Sequence, residues 1–407
     1  MISNYKFIFL MSFGHAGIDW IDSLLCSHDE ILIMPEFSFY RSWKLLQAEV
    51  VIDCLSMAKL WARYFNTKMY STTDIRRFNN KREIDTFERY LFNYLSNNGI
   101  DRKSVLCGIH EAFIASKKHS KKFKIVVVHE HASFSFVEIM KDFKDPSVLM
   151  IMRDPRAALA GFYRGIEKKY SRNSDVFNYF YNMSTEEWMY SVESYYKYKK
   201  QLKCSLYVIK NEDMVCNLTY EMLKLSEWMR VKYSDSLLQS STFTNDNWTP
   251  DSCYLKRGEN IAHLKDFYSP ENVKARWISE LQGIREINLI EQIFWKVMID
   301  FGYEPLSKRT MYNKLYAYYS FVHPHRGKDR FKFYPPNNDE LYRKQKILKH
   351  NNSLFLFLWN IIPGKGKYIY VYISTILLQI KILFTRNRWS RYDIPFIDEI
   401  YRGKKIV

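Results

Sequence analysis

The sequence predicts an α/β fold, with a parallel sheet flanked by helices in three layers and a mainly helical C-terminal extension. Three observations predict it. Short β-branched or apolar runs bounded by turn signals alternate with longer amphipathic stretches, the pattern of parallel strands joined by crossover helices. The chain has 407 residues, 47% of them hydrophobic, enough to bury a full core without staples and too apolar for a disordered chain. Its net charge of +17 is uneven, because residues 304–407 hold 20 Lys/Arg against 7 Asp/Glu, net +13, leaving +4 for the first 303. A near-neutral domain over 1–303 and a basic, aromatic-rich extension over 304–407 are therefore expected.

The elements follow in order. Strands are expected at Lys6–Met11, Ile31–Met34, Lys124–His129, Val148–Arg153 and Ser205–Lys210, each a short apolar run. Helical periodicity marks Gly17–Ser27, an insertion from about Ser42 to Leu95, then Ser133–Phe143, Pro155–Tyr170, Thr185–Leu202 and Leu218–Met229. A last helix, Ile284–Phe301, stops at Gly302, a residue suited to a helix end. In such a sheet, ligands gather at the carboxyl ends of the strands. The apolar run Phe7–Met11 is too short for a secretory signal and lacks a cleavage site. Cys26, Cys54, Cys107, Cys204, Cys216 and Cys253 are scattered singly, which predicts reduced thiols and a cytoplasmic setting.

Two turns at strand ends carry the chemistry. The first strand runs into Ser12-Phe13-Gly14-His15-Ala16-Gly17-Ile18-Asp19-Trp20, a glycine-containing turn that offers backbone N–H groups and a helix amino end to a phosphate. It lacks the G-x-x-x-x-G-K-[ST] signature, which disfavours an ordinary ATPase or GTPase. The fourth strand runs into Arg153-Asp154-Pro155-Arg156, with Gly161 in the helix that follows. Arg153 is expected at the carboxyl edge of the sheet, where a guanidinium suits a phosphate; the alternative is a salt bridge to a carboxylate. Asp154 and Pro155 read as the cap and first residue of the next helix.

This combination resembles the sulfotransferase family that uses 3′-phosphoadenosine-5′-phosphosulfate (PAPS), in its bacterial, glycan-directed form. The family has a strand-loop-helix for the 5′-phosphosulfate and an R-D-P-R turn for the 3′-phosphate. Leu206–Met214, Thr242-Phe243 to Trp248, Tyr254-Leu255-Lys256-Arg257-Gly258, and Trp277 with Glu291 through Tyr303 resemble its later pieces, in ordered fragments over about residues 5–303. The resemblance implies a P-loop-like sheet. It also implies PAPS held by Gly14, His15, Ala16, Gly17, Ile18, Asp19, Trp20, Arg153, Gly161, Lys256, Arg257 and Gly258, with no metal. The chain departs from the pattern at His15, near the family's basic position, at Ile18 and Asp19, where hydroxyl residues are usual, and at Gly161, where the family has serine.

Sulfuryl transfer to a hydroxyl or amine needs a base, cationic stabilisation of the transferred group and in-line positioning. Glu36, in Pro35-Glu36-Phe37-Ser38-Phe39, is one candidate base, and polysaccharide sulfotransferases place a Glu in a similar context. The other lies in His129-Glu130-His131, where the family's cytosolic members carry a histidine; His131 is the closer match and His129 shares its strand face. The His129-x-His131 pair would suit a metal, yet no third ligand is evident in the sequence. His15, if protonated, would stabilise the leaving phosphate.

The extension holds a basic loop at His323–Lys332, a Lys/Arg-dense segment at Leu341–His350, and two apolar stretches, Ser353–Ile362 and Tyr368–Leu378. Both stretches are too short to span a bilayer. Their flanking Lys, Arg and Trp residues suggest attachment to an anionic membrane surface at its inner face, or else a helical subdomain packed on the core. The reading is a PAPS-dependent transferase acting on a carbohydrate or lipid-linked acceptor. The alternatives are a degenerate sulfotransferase-like binding protein and another P-loop nucleotide enzyme such as a kinase. No recognised nucleic-acid module frames the basic residues, so nucleic acid is not an expected partner. Trp43, Trp61, Tyr64, Tyr70 and Tyr90, within an insertion over about 42–118, would either stack on sugars or form core.

Overall fold

The computed structural model describes residues 5–34, 37–66, 78, 80–117, 123–130, 135–167, 188, 191–192, 194–199, 201–202, 205–240, 269–275, 277–281, 284–310 and 312–313. Two compact units divide the chain: Met1–Arg153 with Ser194–Pro270, and Asp154–Glu193 with Glu271–Val407. The predicted sheet is present in the first unit. Its strands are β1 (Lys6–Ser12), β2 (Ile31–Ile33), β3 (Ile125–His129), β4 (Ser147–Met152) and β5 (Leu206–Lys210), in the order β2-β3-β1-β4-β5 with every pair parallel. All five carboxyl ends therefore share one edge.

Successive strand side chains alternate between faces, and here both faces are covered, which is why the strands read as near-continuous apolar runs. On one face Ile8, Leu10, Ile125, Val127, Leu149, Ile151 and Ile209 pack against α1 (Ile18–Leu25), α8 (Asn211–Cys216) and α9 (Leu218–Met229), through Ile21, Leu25, Met214, Met222 and Leu225. The other face is aromatic. Phe7 meets His110 at 6.1 Å and Phe143 at 5.7 Å, and Phe9 meets Tyr40 at 6.2 Å. A fully buried side chain such as Phe9 contributes roughly 1.5–3 kcal/mol.

The insertion folds as α2 (Phe39–Leu45), α3 (Cys54–Asn66), α4 (Lys81–Asn98) and α5 (Arg102–Ser116). Asn80 accepts from the Glu83 N–H to start α4, and Asp101 accepts from the Lys103 and Ser104 N–H groups to start α5. Helix α5 lies past the Leu95 end of the marked periodic stretch but within the helical insertion expected over about 42–118. Phe37, Phe39, Trp61, Tyr64 and Phe65 form one ring cluster, with Phe39 stacked on Trp61 at 5.6 Å. Trp43, Trp61 and Tyr64 are thus core rather than sugar platforms, Tyr90 is exposed, and Tyr70 lies outside the described residues.

Helix α6 (Phe136–Asp142) precedes β4 and is tied to α5 by Arg102, which bonds Glu138 at 2.6 Å and both oxygens of Asp142 at 2.5 and 2.7 Å. The second unit contains α7 (Pro155–Glu167), α10 (Pro270–Ala275), α11 (Trp277–Glu280) and α12 (Ile284–Asp300). Within Thr185–Leu202, the described residues are helical. No helix among the described residues is long and apolar enough to cross a membrane. Cys26, Cys54, Cys107 and Cys216 are free thiols, of which Cys107 is buried and Cys216 exposed.

Candidate anion-binding site

At the end of β1 the chain turns sharply. Gly14, His15 and Gly17 have φ of 98°, 48° and 87°, a left-handed run that glycine enters without strain and histidine enters at a cost. The Ser12 hydroxyl accepts the Gly14 N–H at 3.1 Å and pins the turn. Gly17 caps α1 and lies so close to Asn211 that a Cβ there would collide with the Asn211 amide. Among the described residues no acceptor takes the N–H groups of Ala16, Gly17 or Ile18. The amino end of α1 thus presents donors and a partial positive charge together.

Arg153 follows β4 by one residue and is only 7% exposed. Its Nη1 donates to the His15 carbonyl at 3.3 Å, so its guanidinium reaches the β1 turn. Its Nε is buried with no hydrogen-bond partner, and among the described residues no carboxylate pairs with it. A buried guanidinium held by one carbonyl is costly unless an anion completes it. Among the described residues the salt-bridge alternative finds no carboxylate for Arg153.

Arg156, three residues on and in the second unit, is fully engaged. It bonds Asp154 at 2.7 Å, Glu291 at 2.7 Å and the Glu304 carbonyl at 3.1 Å, with its guanidinium 4.1 Å from the Trp277 ring centroid. Asp154 accepts the Arg156 N–H at 2.8 Å, as expected of a helix cap. Gly161 is buried within α7, also in the second unit.

The role expected of His15 depends on its protonation. Burial, and then the Arg153 charge, push its imidazole down to about 4, which works against the cationic form that role requires. His129 ends β3 against α1, where its Nδ1 contacts the Asp22 carboxylate and its Nε2 lies 4.0 Å from Asp19 Oδ1. Trp20 is half-buried and packs against the core. Glu36, His131, Lys256, Arg257 and Gly258 lie outside the described residues.

Sequence reasoning missed three residues here. Glu130 is buried, and its carboxylate accepts from the Tyr40 N–H and the Ser135 hydroxyl, both at 3.0 Å. Burial pushes it up to about 7 against the pull of those bonds. Asn211 is the first residue past β5, where it backs the Gly17 turn. Asp22 sits with Ile18, Ile21 and Leu25 on the buried side of α1. A polar residue on an apolar helix stripe was the available signal for it.

At the carboxyl edge of this parallel sheet, a glycine turn thus meets a buried arginine that bonds the His15 carbonyl and, among the described residues, no carboxylate. No protein-family model matches the chain, and no curated protein matches it significantly. Among solved structures, a sulfotransferase domain from the curacin biosynthetic pathway is similar at 13% identity and a TM-score of 0.47, covering 74% of this chain and 98% of its own. The sulfotransferase domain of the Synechococcus PCC 7002 olefin synthase gives 12% and 0.44, covering 75% and 98%. The sulfotransferase STF9 from Mycobacterium avium gives 11% and 0.38, covering 76% and 79%.

Proposed function

We propose that this chain is a PAPS-dependent sulfotransferase acting on a hydroxyl or amine of a glycan, glycolipid or other acceptor. The observation that carries the reading is Arg153, a buried strand-end guanidinium with an unsatisfied Nε and one bond to the β1 turn. The turn and Arg153 would hold the two phosphate groups of the donor, and the N–H groups of Ala16, Gly17 and Ile18 would face the phosphosulfate. Lys256, Arg257 and Gly258 would close over it. Glu36 or His131 would take the acceptor proton as the acceptor attacks sulfur, the sulfur–oxygen bond to the nucleotide breaks, and 3′,5′-ADP leaves. Positioning and charge complementarity carry most of such a transfer.

Calorimetry with 3′,5′-ADP tests the carrying observation. Binding to the wild type and a loss of about 100-fold or more in Arg153→Ala is expected, in line with removing a charged bond from a buried site. Unchanged affinity in that variant would sink the assignment. Glu36→Gln and His131→Ala should spare binding, and the one that abolishes turnover identifies the base. A second reading, a sulfotransferase-like binding protein without turnover, is favoured by the lowered pKa of His15 and by Asp19 in the first turn of α1. Mass spectrometry of glycan acceptors incubated with PAPS separates the two. The basic 304–407 extension would attach the protein to the inner face of an anionic membrane. Retention on phosphatidylserine vesicles at low salt and release at high salt are the expected results.

A further inference from the structure

We infer that Asp19 and His129, with Asp22 behind them, form a divalent-metal site of the Mn2+ or Zn2+ class beside the β1 turn. Asp19 and Asp22 stand three residues apart on α1, so one helical face carries both carboxylates. His129 arrives from a different element, the last residue of β3, paired in register with Leu10 of β1. One donor atom from each of the three residues lies within 4.8 Å of the others.

The burial is graded. Side-chain exposure is 2% for His129 and 6% for Asp22 but 33% for Asp19, which leaves an entrance on the Asp19 side. The Asp22 carboxylate contacts His129 Nδ1 and so fixes the ring with Nε2 toward Asp19, the arrangement in which a carboxylate orients a metal-binding imidazole. His129 Nε2 and Asp19 Oδ1 are 4.0 Å apart, somewhat wider than the roughly 3.0–3.5 Å between neighbouring ligands of an ion with bonds of about 2.0–2.2 Å, so binding draws in Asp19, the exposed member of the trio. Two carboxylates against one imidazole leave the trio negative even when the ring is protonated, and a divalent ion reverses that sign. Mixed oxygen and nitrogen donors suit Mn2+ or Zn2+ better than Mg2+ or Ca2+, which prefer oxygen alone. Asp19 is two residues past Gly17, so the ion's remaining positions are open to an oxygen of whatever anion the turn holds; that last link rests on the proposed function. Metal binding itself does not.

The test therefore omits nucleotide. Chelator-treated full-length protein is titrated with Mn2+ by electron paramagnetic resonance and with Zn2+ by calorimetry. One saturable equivalent is expected, with nitrogen modulation in the spin echo of bound Mn2+ from His129. Asp19→Asn, at the exposed ligand and so safest for folding, should abolish that equivalent. Asp22→Asn should weaken it by about 10–100-fold, as loss of an orienting partner does. Absence of saturable binding up to about 1 mM, an affinity of only about 4 kcal/mol, overturns the site. So does wild-type affinity in a folded Asp19→Asn protein. Metal binding with no 3′,5′-ADP binding would reject the transferase reading and keep the site.

Discussion

Two arginines three residues apart have different partners, and burial alone does not distinguish them. Arg156 has carboxylates on two sides and a tryptophan beneath it, so it belongs to the packing of its unit. Among the described residues Arg153 has one carbonyl and an unsatisfied Nε. Glu291→Gln should thus cost stability of about 3–5 kcal/mol, because it weakens a buried charge pair and the Leu306 and Ser307 amide bonds. Denaturant unfolding measures it. Gly17→Ala combines a positive φ with a collision at Asn211, and a loss of about 1–3 kcal/mol is expected. Adding Asn211→Ala should recover the steric part only. His110 offers a pH test: burial pushes it down to about 4, while its Nδ1 bonds the Leu106 carbonyl. The unfolded chain binds that proton first, so the stability is present above about 6.5 and lost as pH falls toward about 4, by up to roughly 3 kcal/mol. His110→Phe should flatten melting temperature against pH across that window.

At the scale of elements, caps and periodicity account for most of what forms. Leu218–Met229 and the amino end of α7 match the sequence reading because an apolar stripe and an Asp-Pro start mark them without help from the rest of the chain. Helix α5, within the helical insertion expected over about 42–118, has no clean stripe of its own, because its buried residues, from Val105 through Phe113, include a histidine and a glycine that blur it. Its start nevertheless carries a signal, since Asp101 caps it. Asp101→Ala should lower stability by about 0.5–2 kcal/mol and leave 3′,5′-ADP affinity unchanged, as α5 touches the far face of the sheet. Chemical denaturation with parallel calorimetry checks both halves.

At the scale of the whole chain, the composition break expected near 303 meets a structural detail. Glu291 accepts from the Leu306 and Ser307 N–H groups, and Gln292 donates to Ser307 and to the Lys308 carbonyl. The first residues of the basic extension are thus bonded to α12. A chain ended at Tyr303 should unfold at lower denaturant than one ended at Asn313, because it strips two amide partners from a buried carboxylate. Equal midpoints would place the boundary at 303 after all.

By itself the sequence determined the five strands, their alternation with helices, and the two turns at which an anion would be met. Those are local properties, set by apolar runs, glycine and an Arg-Asp-Pro-Arg string. Only the tertiary structure decided that Arg156 is engaged by carboxylates while Arg153, among the described residues, meets none, that burial lowers the pKa of His15, and that two aspartates of α1 face a histidine 107 residues away from Asp22. Partners, desolvation and ligand geometry arise between elements remote in the chain, and no local pattern encodes them.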